Sequence, residues 1–382
     1  MAPSVAVVGA GIIGCAAARE LSPEYDVRVL ERDAVGSGAT DRGAGEVTTT
    51  PSYTDYPAVA THANDFFRTY DGTGEFWFVE SGSLELVAAD HEDEARRRAD
   101  RLSSAGFDVD FLDPDTVESR YPRFDASDYA GAVYHGETGF MDPPTLVRTL
   151  ADDARQRGAA IETGVTVTGL AVDDGVVQGV ETTTGVVPAD HVVIAAGWRT
   201  PDLLDGTVPL PIRPYRTQCA VFRPERPLSD SFPMGWVPGE HVYFRRTRDG
   251  ELLVGGWSFA EGDPETASRD SDPAFRRHAR EWISEFLDPF EAAPLVDDWA
   301  GVDGSTPDTR PVIDAPENGP DGLVVAAGFH GRGIMTSPAA ATAVRSLVSG
   351  ERTAVPLEPF GLDRFDDRAR DFEFTSISDG SV

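Results

Sequence analysis

Val5-Ala-Val-Val-Gly-Ala-Gly-Ile-Ile-Gly-Cys-Ala-Ala-Ala-Arg-Glu-Leu21 is the stretch whose reading decides the fold. Val5 to Val8 suit a strand buried on both faces, and Gly9-Ala-Gly-Ile-Ile-Gly14 follows them at once. A helix runs on through Cys15 to Leu21, and Pro23 stops it. Val27-Arg-Val-Leu30 reads as a second strand closing on Glu31, about 20 positions beyond Gly11 and at the offset of a dinucleotide-binding βαβ unit. Gly9 makes the turn, Gly11 lets the backbone approach a pyrophosphate, and Gly14 lets helix and strand pack closely. The helix N-terminus turns its positive end toward the phosphates, with Ile12 and Ile13 of the glycine turn among the cofactor contacts. Glu31 can accept both ribose hydroxyls of an adenosine and repels a 2′-phosphate, which disfavours NADP. The unit by itself leaves FAD and NAD open.

The 382 residues carry 65 Asp+Glu against 33 Lys+Arg, a net charge of −32, and no lysine occurs. Such a surface repels itself in dilute buffer, whereas at molar salt the screening length falls to roughly 3 Å. The composition resembles that of proteins from salt-loaded cytoplasms, and its sign argues against nucleic acid as a partner. Cys15 and Cys219 are too few for a disulfide framework and are expected as free thiols, and no residue cluster reads as a metal site. The apolar run from Val5 to Ala18 has no cationic segment before it, is broken by glycine, and is too short to span a bilayer. A soluble, cytoplasmic protein without a transmembrane segment is expected.

The length points to two domains, and the absence of repeats or linkers points to their being interleaved. Thr163 to Leu170 and Val176 to Thr182 read as strands joined at Asp173-Asp-Gly175, before an apolar strand Val192 to Ala196 ends in Gly197. From about Arg213 to Trp257 the pattern is antiparallel, with His241 to Arg245 and Glu251 to Trp257 flanking Asp249-Gly250. Ser271 to Leu287 reads as a helix with Pro273 in its first turn and an apolar core stripe, and Glu92 to Ser104 as a charged helix with a solvated face. Near the C-terminus the strand Leu323 to Ala327 leads into Gly328-Phe-His-Gly-Arg-Gly333 and an alanine-rich helix, with Ser337 as cap and Pro338 in the first turn.

Taken in order, Gly9 to Gly14 with Glu31, Gly36-Ser-Gly-Ala-Thr40 with Gly43-Ala-Gly45, Ala195-Ala-Gly-Trp198, Trp299-Ala-Gly301 with Thr306-Pro-Asp308 and Pro311, and Gly328 to Pro338 resemble the FAD-dependent D-amino acid oxidase family, in its glycine oxidase, sarcosine oxidase and D-amino acid dehydrogenase branch. The resemblance spans nearly the whole chain. It implies an α/β fold in which a Rossmann-like FAD-binding domain (1–80, 141–212 and 299–382) is interleaved with an antiparallel-sheet, α+β substrate domain (81–140 and 213–298). Glu31 and Arg32 then hold the adenosine, and Val165 or Val167 touches adenine. Thr40, Arg42, Gly43, Ala44, Gly45 and Glu46 line the pyrophosphate and flavin, with Ala196, Gly197 and Trp198 nearby. Gly328, His330, Gly331, Arg332, Gly333, Ile334 and Met335 embrace the isoalloxazine.

The activity so implied is oxidation of the C–N bond of an amino acid or secondary amine by hydride transfer to the flavin, giving an imine that hydrolyses. Its partners are a small amine or amino acid and either dioxygen or an electron carrier, with homo-oligomerisation open. This chain departs from the pattern in three places. Where glycine oxidase places an arginine that grips the substrate carboxylate, Val302 is followed by Asp303. The lysines that sarcosine oxidase uses for dioxygen and carboxylate have no counterpart, and Met335 stands at the loop position. The cysteine tether falls near Gly301, so FAD is expected to be non-covalent. Candidates to polarise substrate or flavin are Tyr243 and Arg245, which alternation places on one face of a strand, together with Arg332 and His330. A nicotinamide-dependent dehydrogenase and a non-catalytic flavin subunit of a dehydrogenase complex are the alternatives.

Overall fold

A computed structural model describes residues 2–237, 240–287, 290 and 292–377. The N-terminal motif folds as strand Ser4–Val8, helix Ile12–Leu21 and strand Asp26–Glu31. Among the described residues they belong to a six-stranded sheet ordered Val312–Asp314, Leu323–Ala327, His191–Ile194, Ser4–Val8, Asp26–Glu31 and Ala160–Thr163. All neighbours run parallel except Val312–Asp314, which pairs antiparallel with Leu323–Ala327. Val5, Val7, Val27 and Val29 pack on helices Ile12–Leu21, Pro143–Gln156 and Gly333–Ser349. Ala6, Val8 and Leu30, pointing the other way, pack with Val177 and Val180 of the antiparallel meander Val167–Asp173, Val176–Thr182 and Gly185–Pro188. The sheet is thus apolar on both faces, which is why its strands read as continuous hydrophobic runs.

A second, mainly antiparallel sheet is ordered Leu295–Ser305, Arg213–Phe222, Leu252–Ala260, Val242–Arg246, Met234–Val237, Ser83–Val87, Gly131–His135 and Val109–Leu112. Val242, Phe244, Ala220 and Val254 on one face pack against Phe275, Trp282 and Phe286 of helix Pro273–Phe286. The opposite face looks toward the parallel sheet. The segments placed in the substrate domain supply this sheet, but Leu295–Ser305 runs unbroken across the boundary drawn at 298/299, so Trp299 to Gly301 lie in the mixed sheet. Residues 378–382 of the C-terminal segment lie outside the described residues.

Two local expectations are corrected. The strand expected over Thr163 to Leu170 is two strands, because Gly164 at φ +76° takes the chain out of the parallel sheet after Thr163. The last helix starts at Gly333, so Pro338 lies inside it and Ser337 is not its cap. Pro338 has no N–H to offer the carbonyl four residues back, and the Ser337 hydroxyl donates to that Ile334 carbonyl instead, at 2.9 Å.

Candidate active site

Between the two sheets lies a cavity of about 660 Å³, a size suited to a large bound molecule. At one end stands the glycine turn. Gly9 has φ +101°, and a Cβ there would meet the Ala195 carbonyl oxygen at 2.6 Å. A Cβ on Gly14 would lie 1.9 Å from the Gly9 carbonyl oxygen, whereas one on Gly11 would point into the cavity and meet only the Thr40 hydroxyl oxygen, at 3.5 Å. Helix Ile12–Leu21 has no side-chain cap on Gly11 and no acid in its first turn, so its positive end opens into the cavity. Glu31 is fixed there by two backbone donors, Ala10 N–H at 2.7 Å and Asp33 N–H at 2.8 Å. Thr40 accepts from the Ile12 N–H at 3.0 Å and ties the following loop to the helix start.

Every residue expected to hold the cofactor borders this cavity except Gly14 and His330. Gly14 serves packing, as its spacing implies. His330 is corrected: at φ +51° its ring turns away from the cavity and lies between Tyr215 and Phe374, at 4.9 and 5.4 Å between ring centres. Burial, and next the charge of Arg332, push its imidazole down to about 3, so it is neutral and no proton carrier at ordinary pH. Arg332 itself borders the cavity and donates to the carbonyl and hydroxyl of Thr309, both at 3.3 Å. On the far side Trp198 carries the Arg199 guanidinium 3.8 Å from its ring centre, and Arg199 grips Glu265 at 3.0 and 2.7 Å.

At the other end the mixed sheet forms the wall. Glu85, Trp236, Tyr243, Gly255 and Cys219 are successive partners across neighbouring strands and therefore share one face. Gly255 makes room for the Tyr243 ring, since a Cβ there would lie 2.2 Å from the ring carbon Cζ, and the Tyr243 hydroxyl reaches the Cys219 sulfur at 3.7 Å. Burial raises Tyr243 well above its ordinary value and pushes the Cys219 thiol up to about 12. Neither is an anion at neutral pH. Arg245 shares the Tyr243 face as alternation requires, but the expectation that it meets substrate is corrected: it does not border the cavity. It donates to the carbonyls of Ala44 at 2.6 Å and Arg246 at 2.9 Å, and lies over Phe140.

Besides Glu85, the carboxylates of Glu46 and Asp303 border this end. Glu46 begins the short strand Glu46–Val47; its Oε1 is shut off from solvent and has no hydrogen-bond partner. Burial, only partly opposed by Arg245, pushes it up to about 8. Asp303, at the position where the resemblance places the clamp arginine, accepts from the N–H groups of Gly304 and Gly331, both at 2.8 Å. It pins the 328–335 loop to the sheet, and burial raises its carboxyl. Sequence reasoning passed over Glu85, Trp236 and Tyr215, which reach the cavity only through strand pairing, and it gave helix Glu92–Ser104 a solvated face although Arg98 borders the cavity and pairs with Glu85. No metal-binding cluster occurs among the described residues, and no helix among them is long and apolar enough to cross a membrane.

A βαβ nucleotide end, a second strand-glycine-helix loop and a sheet wall around one cavity define a dinucleotide-dependent oxidoreductase. The chain belongs to the DAO family of FAD-dependent oxidoreductases, whose family model matches residues 4–347. It is 28% identical over 375 residues to glycine oxidase of Pseudomonas putida, covering 94% of this chain and 98% of that one. The crystal structure of glycine oxidase from Geobacillus kaustophilus superposes with a TM-score of 0.84 at 27% identity, over 96% of this chain and 99% of the other. L-proline dehydrogenase from P. horikoshii shares the fold, with a TM-score of 0.87 at 24% identity over 96% and 98%. The cofactor is FAD, and the nicotinamide alternative falls. The residues fit that cofactor: the side-chain-free Gly11 face, the uncapped helix end and Glu31 stand where a pyrophosphate and a ribose need them.

Proposed function

We propose that this enzyme oxidises the C–N bond of a small amine or amino acid to an imine, which water hydrolyses. The observation that supports this most is the continuous cavity that runs from Glu31 along the 328–335 loop to a polar end at Tyr243, Glu46 and Asp303. Gly9, Gly11, Ile12 and Ile13 would face the pyrophosphate with Thr40, Arg42 and Gly43, while Glu31, Arg32, Val165 and Val167 would hold the adenosine. Ala44, Gly45, Ala196 to Trp198 and Gly328 to Met335 would surround the ring, with Arg332 as its neighbouring cation. FAD, held non-covalently, supplies the two-electron acceptor. The protein's part is to orient the substrate and exclude water.

The lack of lysine supports an electron carrier rather than dioxygen as the final acceptor, and the acidic composition supports residence in a salt-loaded cytoplasm. Anaerobic titration of the purified protein in molar salt with glycine, sarcosine, D-amino acids, L-proline and polyamines is the test. Absorbance near 450 nm that fades with at least one of these is expected. Yellow protein that none of them bleaches would identify a non-catalytic flavin subunit and end the proposal, and rapid return of colour in air would reverse the assignment of a carrier.

A further inference from the structure

Six arginines among the described residues border the cavity, and their partners sort them by place. Arg32 and Arg199 meet Glu265 at the adenosine end, at 3.9 and 2.7 Å. Arg42 backs onto Gly301, where a Cβ would lie 2.5 Å from its own, and the Arg269 carbonyl accepts from the Ala300 N–H at 2.7 Å, so both stand beside strand Leu295–Ser305. Arg332, in the 328–335 loop, donates to Thr309. Arg98 comes from the opposite side: it projects from helix Glu92–Ser104 and donates through Nη2 to Glu85. Glu85, Trp236 and Tyr243 are successive partners across three strands, and neighbouring strands stand about 4.8 Å apart, so Glu85 lies roughly 10 Å across the sheet from Tyr243. In the sheet order this is away from strand Leu295–Ser305, to which Asp303 pins the 328–335 loop.

The surroundings of Arg98 leave it able to take a second carboxylate. Glu85 fixes it, and the other Glu85 oxygen lies 3.9 Å from Nε2 of the buried His135. The guanidinium has more N–H donors than Glu85 uses: among the described residues those on Nε and Nη1 donate to nothing, and the side chain is 27% exposed. A guanidinium held in place by one carboxylate presents the rest of its planar fork to another, which is the geometry in which arginine recognises carboxylates. Between Arg98 and Tyr243 the wall is the ring of Trp236, half-buried and stacked on His135 with ring centres 5.7 Å apart. That ring offers an apolar surface to an aliphatic chain. The position at which the resemblance expects a carboxylate clamp holds Asp303 instead, whose oxygens accept from Gly304 and Gly331. Resting on the function proposed above, we infer that Arg98 binds a carboxylate at the far end of the substrate, and that the substrate class is an ω-amino acid whose aliphatic chain lies along Trp236 while its amine end is oxidised.

Anaerobic bleaching of the FAD-loaded enzyme in molar salt, followed against concentration, gives a half-saturating value for 4-aminobutanoate, 5-aminopentanoate and 6-aminohexanoate and for the alkylamines of equal length. At least one of these acids is expected to half-saturate about 10-fold or more below its alkylamine, the difference that a charge-assisted, bidentate contact makes. Arg98→Gln, matched in FAD content and melting temperature, should bring that ratio to about 2-fold or less, because the fork and its charge are gone. Equal values for acid and alkylamine in the wild type, or a ratio that survives in Arg98→Gln, overturn the inference. Should Arg98→Gln not fold because Glu85 is left without its cation, the double variant Arg98→Gln/Glu85→Gln removes both charges, and a ratio kept there overturns the inference likewise. Hexanoate, which has no amine to oxidise, reads the same contact without turnover. It is expected to raise the melting temperature of the FAD-loaded wild type more than hexanol does, and to lose that advantage in Arg98→Gln; an equal rise with both probes overturns the inference. Failure of every amine to bleach the wild type is a separate result, which removes the proposed function itself.

Discussion

Gly11 and Gly14 lack side chains for different reasons. Gly14 backs onto the Gly9 carbonyl at a distance no Cβ can occupy, whereas Gly11 faces open cavity. Gly14→Ala should therefore destabilise the fold by about 1–3 kcal/mol, in the manner of overpacking. Gly11→Val should leave the melting temperature of FAD-free protein unchanged and lower FAD content at least 10-fold; equal effects on both properties in both variants would remove the distinction. The motif is legible in sequence because a left-handed turn and a close approach are local demands that one residue type meets. Arg245 shows the opposite case. Its face follows from alternation, but the Ala44 carbonyl that occupies it arrives from 201 positions away, and no local pattern announces that. Glu46 is visible as a residue next to the glycines, yet its burial depends on Tyr243 and Arg245 and hence on the folded sheet.

Among the elements, the connection over 261–272 carries more than its turn-rich sequence suggests. It leaves strand Leu252–Ala260, brings Pro264, Glu265, Ser268 and Arg269 to the cavity rim, and returns as helix Pro273–Phe286. Arg216, buried at its base, donates to the Ser268 and Asp270 carbonyls at 3.1 and 2.6 Å, and the Glu265–Arg199 pair latches the tip onto the parallel-sheet side. Exposed ion pairs are worth about 0–1 kcal/mol, so the latch should tune kinetics rather than stability. Glu265→Ala is expected to speed FAD release about 2- to 5-fold, followed by recovery of flavin fluorescence, with the melting temperature unchanged. An unaltered release rate would show that the latch does not retain the cofactor. Element types are legible where a period persists over ten or more residues, as in helix Glu92–Ser104. Their partners are not, because Ser83–Val87 joins Met234–Val237 in a parallel pairing across 150 intervening positions or so.

For the whole molecule, the net charge of −32 must be accommodated on a surface whose cations are already engaged in pairs such as Arg19–Asp153, Arg276–Asp298 and Arg364–Asp308. The surplus is carboxylate repulsion, which salt screens. Raising KCl from 0.1 to 2 M should lift the melting temperature by about 5 °C or more, corresponding to about 4 kcal/mol in a protein of this size; a flat or falling curve would show that the repulsion is unimportant. The parallel and antiparallel sheets are legible from the order of motifs, but not where one gives way to the other, since Leu295–Ser305 belongs to the mixed sheet by pairing and carries a motif assigned to the FAD-binding part. The strand order of the parallel sheet also bears on synthesis. His191–Ile194 stands between Ser4–Val8 and Leu323–Ala327, so a growing chain presents its bare edge until some 130 further residues have left the ribosome. At about 5–20 residues per second that interval is on the order of ten seconds, during which the nascent glycine turn has a floor but no far wall. A glycine turn backed on one side only cannot close around a flavin, so the parallel sheet is complete for cofactor binding only once Leu323–Ala327 has been made.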